Sequence, residues 1–181
     1  EHEQVLAVRQ ENAGKGAALN RGMSYARGSV FIFVDADGIF TPLTISWLLT
    51  GLRDPKVGAV CGADRPVNLD RLQTRLLSVI SHVGTGVARR ALSVLRCLPI
   101  VSGNIGAFRA DLVREIGGFR TDTVGEDLEL TWRVYEAGYR VTFEPRAIVL
   151  AESPSTIRAL WRQRVRWSRG LRSEERRVGK E

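Results

Sequence analysis

The sequence predicts an α/β fold built on a largely parallel sheet with helices on both faces. Short apolar runs alternate with segments of helical character, which is the rhythm of consecutive strand–helix–strand units. The run VFIFV at 30–34 lacks polar alternation, which is typical of a strand covered on both faces. With 181 residues, 44% of them hydrophobic and 26% charged, the chain has enough apolar material for one soluble globular core.

The predicted strands are short and bounded by polar or glycine-containing turns. They are VLAV at 5–8, VFIFV at 30–34, VGAVCGA at 57–63, and the two runs RVTFEP and AIVLAE at 140–145 and 147–152. The stretch SGNIGAFR at 102–109 is interpreted as a glycine-containing turn that leads to the helix from Asp111. We expect the strands that alternate with helices to lie parallel.

The predicted helices carry start and stop signals. They are expected at 14–26, from Thr41 with Pro42 through about Leu52, across 70–96, from Asp111 to the pair Gly117 and Gly118, at 125–139, and from about Ser155. Within 70–96 the apolar residues at helical spacing are Leu72, Leu76, Val79, Ile80 and Val83, and Gly84 and Gly86 are expected to bend the segment.

Charge and cysteine content narrow the function classes. A net charge of +7 and a pI near 10.2 favour an anionic partner, which could be nucleic acid, a phosphorylated small molecule or an acidic membrane surface. Cys61 and Cys97 lie far apart without metal-ligand spacing, so we expect two packing residues in a reducing compartment. His2 and His82 form no ligand cluster. No apolar run approaches the roughly 18 residues of a spanning helix, and we expect this segment not to cross a membrane.

Paired carboxylates follow the strand at 30–34. Ligands of open α/β sheets bind beyond the carboxyl ends of the strands, so Asp35 and Asp37 are presented where a ligand would lie. Two such carboxylates suit Mg²⁺ or Mn²⁺ that bridges to substrate phosphates. The alternative is structural: Asp35 caps the turn and Asp37 belongs to a surface Asp-Gly turn.

Three further motifs carry polar groups at helix starts or on one helix face. ENAGKGAALNRG at 11–22 places Asn12, Lys15 and Asn20 at a helix start suited to phosphate, or in a plain capped helix. GED at 125–127 places Glu126 and Asp127 as catalytic carboxylates or as helix caps.

The motif QRVRW on the last helix brings an amide, a guanidinium and an aromatic ring to one face. These groups belong to Gln163, Arg166 and Trp167. The alternative is a basic amphipathic helix that lies on a membrane or a partner. Its arginines are Arg158, Arg162, Arg164, Arg166, Arg169 and Arg172.

The ordered set NAGKGAALNRG, DAD, SGNIGAFR, GED and QRVRW resembles the inverting glycosyltransferases of family 2. The resemblance covers about residues 5 to 170 and is strongest to processive membrane polysaccharide synthases, which make cellulose, hyaluronan, chitin or poly-N-acetylglucosamine. Within that group, the stretches around GAFRADLVREIGGF and GEDLELTWRVYEAGYRVTFEP look most like the bacterial poly-N-acetylglucosamine synthases. The resemblance implies a GT-A fold, the Rossmann-like fold of nucleotide-diphospho-sugar transferases.

The resemblance also implies roles for individual residues. Asp35 and Asp37 match the Asp-x-Asp motif that holds the nucleotide diphosphate and its Mg²⁺ or Mn²⁺. Asp127 matches the general base, with Glu126 beside it on the acceptor side. The residues implied to bind the nucleotide sugar are Asn12, Lys15, Asp35, Asp37 and Arg166. Those implied to bind the acceptor are Gln163, Trp167 and Glu126.

The chain also departs from the family pattern. The two N-terminal strands of the family, the second of which ends in an acidic residue that contacts uracil, are missing, so we interpret residues 1–171 as a partial catalytic domain that ends in the basic helix. RSEERRVGKE at 172–181 resembles translated vector sequence, or is an ordinary solvated charged tail.

The resemblance implies partners and a location. The expected partners are a UDP-sugar donor, a polysaccharide or sugar acceptor, and the anionic cytoplasmic leaflet, in a multi-pass membrane protein whose catalytic domain lies on the cytoplasmic side. N-acetylglucosamine is the expected sugar. The remaining hypotheses are a non-processive family 2 transferase acting on a lipid or other acceptor, and an inactive basic module that binds only membrane. Nucleic acid is disfavoured because the arginines cluster on one terminal helix without a known nucleic-acid-binding motif.

Overall fold

The sheet has five strands in the order β1-β4-β3-β5-β2. The computed structural model describes residues 5–123 and 125–178. Side chains are described up to residue 170, and from 171 to 178 only the backbone is described. The strands are β1 (Val30–Phe33), β2 (Ile39–Phe40), β3 (Val57–Pro66), β4 (Gly106–Arg109) and β5 (Arg140–Ala151). The helices are α1 (Lys15–Tyr25), α2 (Thr44–Gly51), α3 (Leu72–Val79), α4 (Gly86–Val94), α5 (Ala110–Glu115), α6 (Glu126–Glu136) and α7 (Ile157–Val178), with a π-helical segment (Ile80–Thr85) between α3 and α4.

The prediction of a largely parallel sheet is wrong in its pairings. Among the described residues, β3 and β5 are the one pair that runs parallel, whereas β4 runs antiparallel to both β1 and β3, and β2 runs antiparallel to β5. Because β1 and β3 are both antiparallel to β4, they share one direction, as a strand–helix–strand unit predicts. The missed feature is β4, which lies between them.

The prediction of helices on both faces is confirmed by two core clusters. One contains Phe31, Phe33 and Phe108 with side chains of α5 and α6, and Leu19 and Met23 of α1 pack against it. The other contains Leu48 and Leu52 of the α2 region packed on Val60, Ala107 and Val149. Alternate residues of β1 point to opposite clusters, which explains why VFIFV carries no polar residue.

Several predicted elements differ in their bounds. The run at 5–8 is exposed and forms no strand, because apolar composition alone does not supply the hydrogen-bonding neighbour that a strand requires. The helix expected from Thr41 begins at Thr44, since residues 41–44 form a turn in which Thr44 N–H donates to Thr41 O (3.0 Å). The two runs at 140–152 form one bulged strand, β5, because the chain follows β3 past Pro145.

One expectation about burial needs correction. Cys61 is buried as predicted, but Cys97 is exposed and is not a packing residue. In the segment 70–96, the five apolar residues at helical spacing are exposed, and the π-helical segment contains Gly84, where a bend was expected, and ends just before Gly86. Helix α7 continues to Val178, into the part interpreted as a charged tail, while His2 and the tail residues 179–181 lie outside the described residues.

Candidate active site

Four segments meet beside the carboxyl end of β1. Lys15 Nζ lies 2.5 Å from Asp35 Oδ1 and 4.0 Å from Glu126 Oε1. Gly103 N–H donates to Asp127 Oδ2 at 3.3 Å, and a Cβ at Gly103 would lie 3.0 Å from Lys15 Nζ. We call these five residues, Lys15, Asp35, Gly103, Glu126 and Asp127, the Lys15 cluster. Apart from Gly103, its members were singled out separately in the sequence.

The first turn of α1 places Lys15. Gly14 precedes the helix with φ +87°, a conformation that favours glycine. Asn12 Oδ1 accepts a hydrogen bond from Gly14 N–H at 3.1 Å and so closes the turn before the helix. Asn12 therefore has a visible structural role, and Lys15 begins the helix with its ammonium group directed at Asp35.

The turn after β1 places the two aspartates differently. Gly38 N–H donates to Asp35 O at 2.9 Å, which closes a tight turn over residues 35–38. Asp35 is half-buried and paired with Lys15, whereas Asp37 is exposed. The turn thus presents one carboxylate to the cluster and the other to solvent.

The start of α6 places Glu126 and Asp127. Both carboxylates lie in the first turn of the helix, where the helix dipole favours negative charge. Thr131, which is fully buried, donates its hydroxyl to Asp127 O (2.7 Å) and accepts the Val101 N–H (2.9 Å). Trp132 and Tyr135 donate to Pro99 O and Leu98 O. Helix α6 therefore holds residues 98–103 beside its own acidic turn.

The aspartates of the turn fit a divalent cation in their chemistry. Asp35 and Asp37 offer carboxylate oxygens, the ligands that Mg²⁺ and Mn²⁺ prefer, and Asp37 is exposed to solvent. Over the parts of the chain that the structure describes, no group of three or more His, Cys, Asp or Glu side chains is arranged to hold a metal alone. Such a set fits a metal shared with its substrate.

Helix α7 reaches the site through its backbone. The position of a Cβ on Gly125 lies 3.5 Å from Cα of Gly170, so α7 passes close to the residue that precedes Glu126. Arg166 and Trp167 are exposed on this helix, Gln163 is half-buried, and the Arg164 guanidinium lies 4.4 Å from the centre of the Trp167 ring. The contacts of these three predicted residues do not join them to the Lys15 cluster.

Sequence reasoning missed Gly103 and Thr131. The glycine turn SGN was noticed, but only the fold shows that its N–H reaches Asp127. No sequence signal marks Thr131, because a threonine inside a helix is ordinary. Across the described ranges, no helix is long and apolar enough to span a bilayer.

Comparison with known proteins identifies relatives of the whole segment. The family model described as "Glycosyltransferase like family 2" matches residues 1–170. The probable glycosyltransferase YdaM of Bacillus subtilis is 34% identical over 170 residues, which are 92% of this chain and 40% of that protein. The poly-beta-1,6-N-acetyl-D-glucosamine synthase of Staphylococcus aureus is 32% identical over 162 residues, or 89% of this chain and 39% of that protein.

Solved structures show the same fold. A mannosyltransferase, PcManGT from Pyrobaculum calidifontis, in complex with GDP-Man and Mn²⁺, superposes with a TM-score of 0.79 at 26% identity, covering 98% of this chain and 47% of that one. Glucosyl-3-phosphoglycerate synthase from Mycobacterium tuberculosis superposes with a TM-score of 0.53 at 20% identity, over 86% of this chain and 51% of that one, and supports the fold alone. The chain spans about two fifths of the length of these curated relatives.

Proposed function

The chain belongs to the glycosyltransferase-like family 2 and has its GT-A fold, and from that premise we propose that it transfers N-acetylglucosamine from a UDP-sugar to a growing polysaccharide with inversion. The observation that carries the proposal is the Lys15 cluster, in which a lysine and the candidate base Asp127 lie beside the carboxylate of the Asp-x-Asp turn. The similarity to the poly-beta-1,6-N-acetyl-D-glucosamine synthase supports the choice of sugar.

In this proposal each side chain has one task. Lys15 and Arg166 bind the diphosphate, and Asp35 and Asp37 would hold a Mg²⁺ or Mn²⁺, which neutralises diphosphate charge. Asp127 accepts the proton of the acceptor hydroxyl. At the same time the hydroxyl oxygen bonds to the anomeric carbon of the donor sugar, and the bond between that carbon and the diphosphate breaks. Base catalysis of this kind contributes about 10²–10⁴-fold. Gln163, Trp167 and Glu126 bind the acceptor.

The orientation of Asp127 supports its role as the base. Gly103 N–H holds Oδ2 at 3.3 Å, and Leu128 N–H holds Oδ1 at 2.9 Å. Both donors are backbone N–H groups, so in this proposal they hold the carboxylate in one orientation while an acceptor approaches. Preorganisation of this kind is what a proton-accepting group requires.

Association with a membrane belongs to the same proposal. Within 157–170, α7 carries five arginines and no acidic residue, which suits the anionic cytoplasmic leaflet. We infer that the whole protein resides in the cell membrane with this domain on the cytoplasmic side.

Asp127→Asn tests the proposed activity. We expect UDP release from UDP-N-acetylglucosamine, with a chitooligosaccharide acceptor and Mn²⁺, to fall about 10²–10⁴-fold while calorimetric binding of the donor is retained, because the amide cannot accept the proton. Asp111→Asn is the matched control, since Asp111 also lies in the first turn of a helix but on the surface. Retained transfer in Asp127→Asn would refute the role of the base.

A donor panel tests the sugar. UDP-N-acetylglucosamine, UDP-glucose and GDP-mannose are compared on the unaltered chain, and we expect the first to bind best. Tightest binding of GDP-mannose, the donor in the PcManGT complex, would overturn the choice of UDP-N-acetylglucosamine. Product length then separates chain extension from transfer of a single sugar.

A further inference from the structure

The outer surface of the segment from α3 to α4 is apolar and exposed. We call it the α3–α4 apolar face. It consists of Leu72, Leu76, Val79, Ile80, Val83, Val87 and Val94. Leu72 is 73% exposed and Val94 is 82% exposed, so these are not partly covered core residues. Contiguous exposed apolar surface of this kind marks a site of interaction.

Polar contacts on the inner side fix this orientation. Ser81 Oγ donates to Asp64 O at 2.5 Å, and Arg89 Nη1 lies 2.6 Å from Asp64 Oδ1. Ser93 Oγ accepts the Phe143 N–H at 3.0 Å, and Thr74 is fully buried. Leu92 also packs against the core on this inner side. The segment therefore turns several polar side chains toward the sheet and the α3–α4 apolar face outward, whereas a helix on a soluble core buries its apolar stripe.

The charges around this face favour one partner. Arg71, Arg75, Arg90 and Arg96 are exposed along the segment. No aspartate or glutamate occurs between residues 71 and 110. Asp70, which pairs with Arg71 at 3.7 Å, is the acidic residue at the start of the segment. An apolar stripe whose borders are otherwise basic is the composition of a helix that lies in the interface of an anionic bilayer. The positive side chains of a protein partner would find no carboxylate between residues 71 and 110 with which to pair.

The face begins next to α7. Gln73 Nε2 donates to Pro154 O at 2.8 Å, and Arg71 Nη1 donates to Ser155 O at 3.4 Å, which ties the start of α3 to the residues before α7. The first turns of α7 expose Ile157 and Trp161, the latter a residue type enriched at membrane interfaces.

We propose that the α3–α4 apolar face inserts into the headgroup region of an anionic lipid bilayer, giving the domain a second membrane contact beside α7. The inference rests on the membrane association proposed above and adds a surface to it. The ligand is the lipid surface itself, with the apolar residues entering it and the bordering arginines meeting anionic headgroups.

Vesicle co-sedimentation of the chain tests the surface. Vesicles of phosphatidylglycerol and phosphatidylcholine are compared with vesicles of phosphatidylcholine alone. We expect Leu76→Gln combined with Val83→Gln to lower the partition coefficient roughly tenfold or more, since two apolar side chains no longer leave water. Ile45→Gln with Leu49→Gln on α2 is the matched control, because these residues are also exposed at helical spacing, and it should bind as the unaltered chain does.

A fluorescent label gives a readout that does not depend on weakening the fold. An NBD group on Val83→Cys in a Cys97→Ser background should shift to the blue and brighten with anionic vesicles, whereas the same label on Leu49→Cys should not. Donor binding measured on all variants should stay unchanged, which separates this surface from the proposed transfer reaction.

The outcomes distinguish the proposals. If Arg162→Gln with Arg169→Gln weakens vesicle binding but the Leu76 and Val83 changes do not, α7 binds lipid and the α3–α4 proposal is wrong. If the unaltered chain does not bind vesicles, both membrane contacts are wrong while transfer is unaffected. If light scattering shows a dimer that the Leu76 and Val83 changes abolish, the face binds a second copy and the lipid proposal is overturned.

Discussion

Lys15 is the residue on which the candidate site is organised. Its ammonium group lies between Asp35 and Glu126, so it lowers the repulsion among carboxylates that come from two distant segments. The pair with Asp35 is about 40% exposed, and its contribution to stability is therefore small. Its importance is positional, since the proposed function assigns Lys15 to the diphosphate.

Gly103→Ala tests how tightly the cluster is built. The new Cβ would lie 3.0 Å from Lys15 Nζ, so the ammonium group must move by a few tenths of an ångström, whereas Asp127 Oδ2 at 3.5 Å stays in ordinary contact. We expect transfer to fall, but by less than the roughly 100-fold loss that follows a misplacement of about 1 Å, with little change in the melting temperature because the crowded atom is the end of a flexible side chain.

Gly22→Ala is the matched control for that substitution. Gly22 lies within α1, and nothing stands within 4 Å of the added Cβ. Alanine should therefore stabilise the helix by about 0.5–1 kcal/mol and leave transfer unchanged. Equal activity of Gly103→Ala and the unaltered chain would show that the turn 102–104 does not border the reacting groups.

At the residue scale, sequence patterns predicted the groups but not their partners. Asp35, Asp127 and Lys15 stand at a strand end or helix start, where local chemistry marks them. The bond from Gly103 to Asp127 and the bond from Val101 to Thr131 join residues 24 and 30 positions apart, and no local preference encodes them. The placement of Gln163, Arg166 and Trp167 on an acceptor stays a prediction.

At the scale of elements, the turn at residues 116–119 is hydrogen-bonded to both α1 and α6. Asn20 of α1 bonds twice to the backbone of Phe119, through its Nδ2 to the carbonyl (2.7 Å) and through its Oδ1 from the N–H (2.8 Å). Arg133 of α6 donates to Ile116 O and to Gly118 O, and its guanidinium also pairs with Glu129. Because both helices are tied to residues 116–119, Lys15 and Asp127 are held at a fixed spacing.

Arg133→Ala should remove the hydrogen bonds between α6 and the turn 116–119, and it should leave the buried carboxylate of Glu129 without its ion-pair partner. Glu129 is 7% exposed, and its carboxylate lies 2.7 Å from Arg133 Nε. We expect a loss of about 3–5 kcal/mol in the free energy of unfolding, because a buried charge loses its partner. Urea unfolding followed by circular dichroism measures the change.

The control for Arg133→Ala is an exposed ion pair that directly follows the turn 116–119. Arg120 and Asp122 lie 2.8 Å apart with both side chains more than 40% exposed, so Arg120→Ala should cost less than about 1 kcal/mol. A similar small loss in Arg133→Ala would mean that Glu129 is not held as a buried ion.

The elements that sequence patterns mispredicted share a physical cause. Strand β4 is only four residues long and enters between β1 and β3, so its position depends on long-range pairing rather than on its own composition. The segment from α3 to α4 has a clear apolar stripe, but periodicity does not say which side of a helix faces the core. Here the polar side faces it, because Asp64 and the β5 backbone offer hydrogen-bond partners.

At the scale of the whole molecule, the reactivity of the two cysteine thiols distinguishes the surface from the core. Cys97 is exposed, whereas Cys61 lies in the middle of β3 with no exposed area and burial raises the pKa of its thiol. A protonated, buried thiol does not react until the surrounding core opens. Its rate of modification therefore measures the population of open molecules.

We expect Ellman's reagent to modify one thiol rapidly and the other in a slow phase. Cys97→Ser should remove the fast phase alone, since Cys97 is the exposed thiol. A donor nucleotide with Mn²⁺ at about one hundred times its Kd should slow the second phase roughly 100-fold, because ligand bound only to the folded state stabilises it by about 2.7 kcal/mol. Modification of both thiols in one fast phase would mean that β3 is not in a stable core. If the nucleotide leaves the rate of the slow phase unchanged, the folded chain does not bind it. The Lys15 cluster would then be a structural ion pair rather than a donor site.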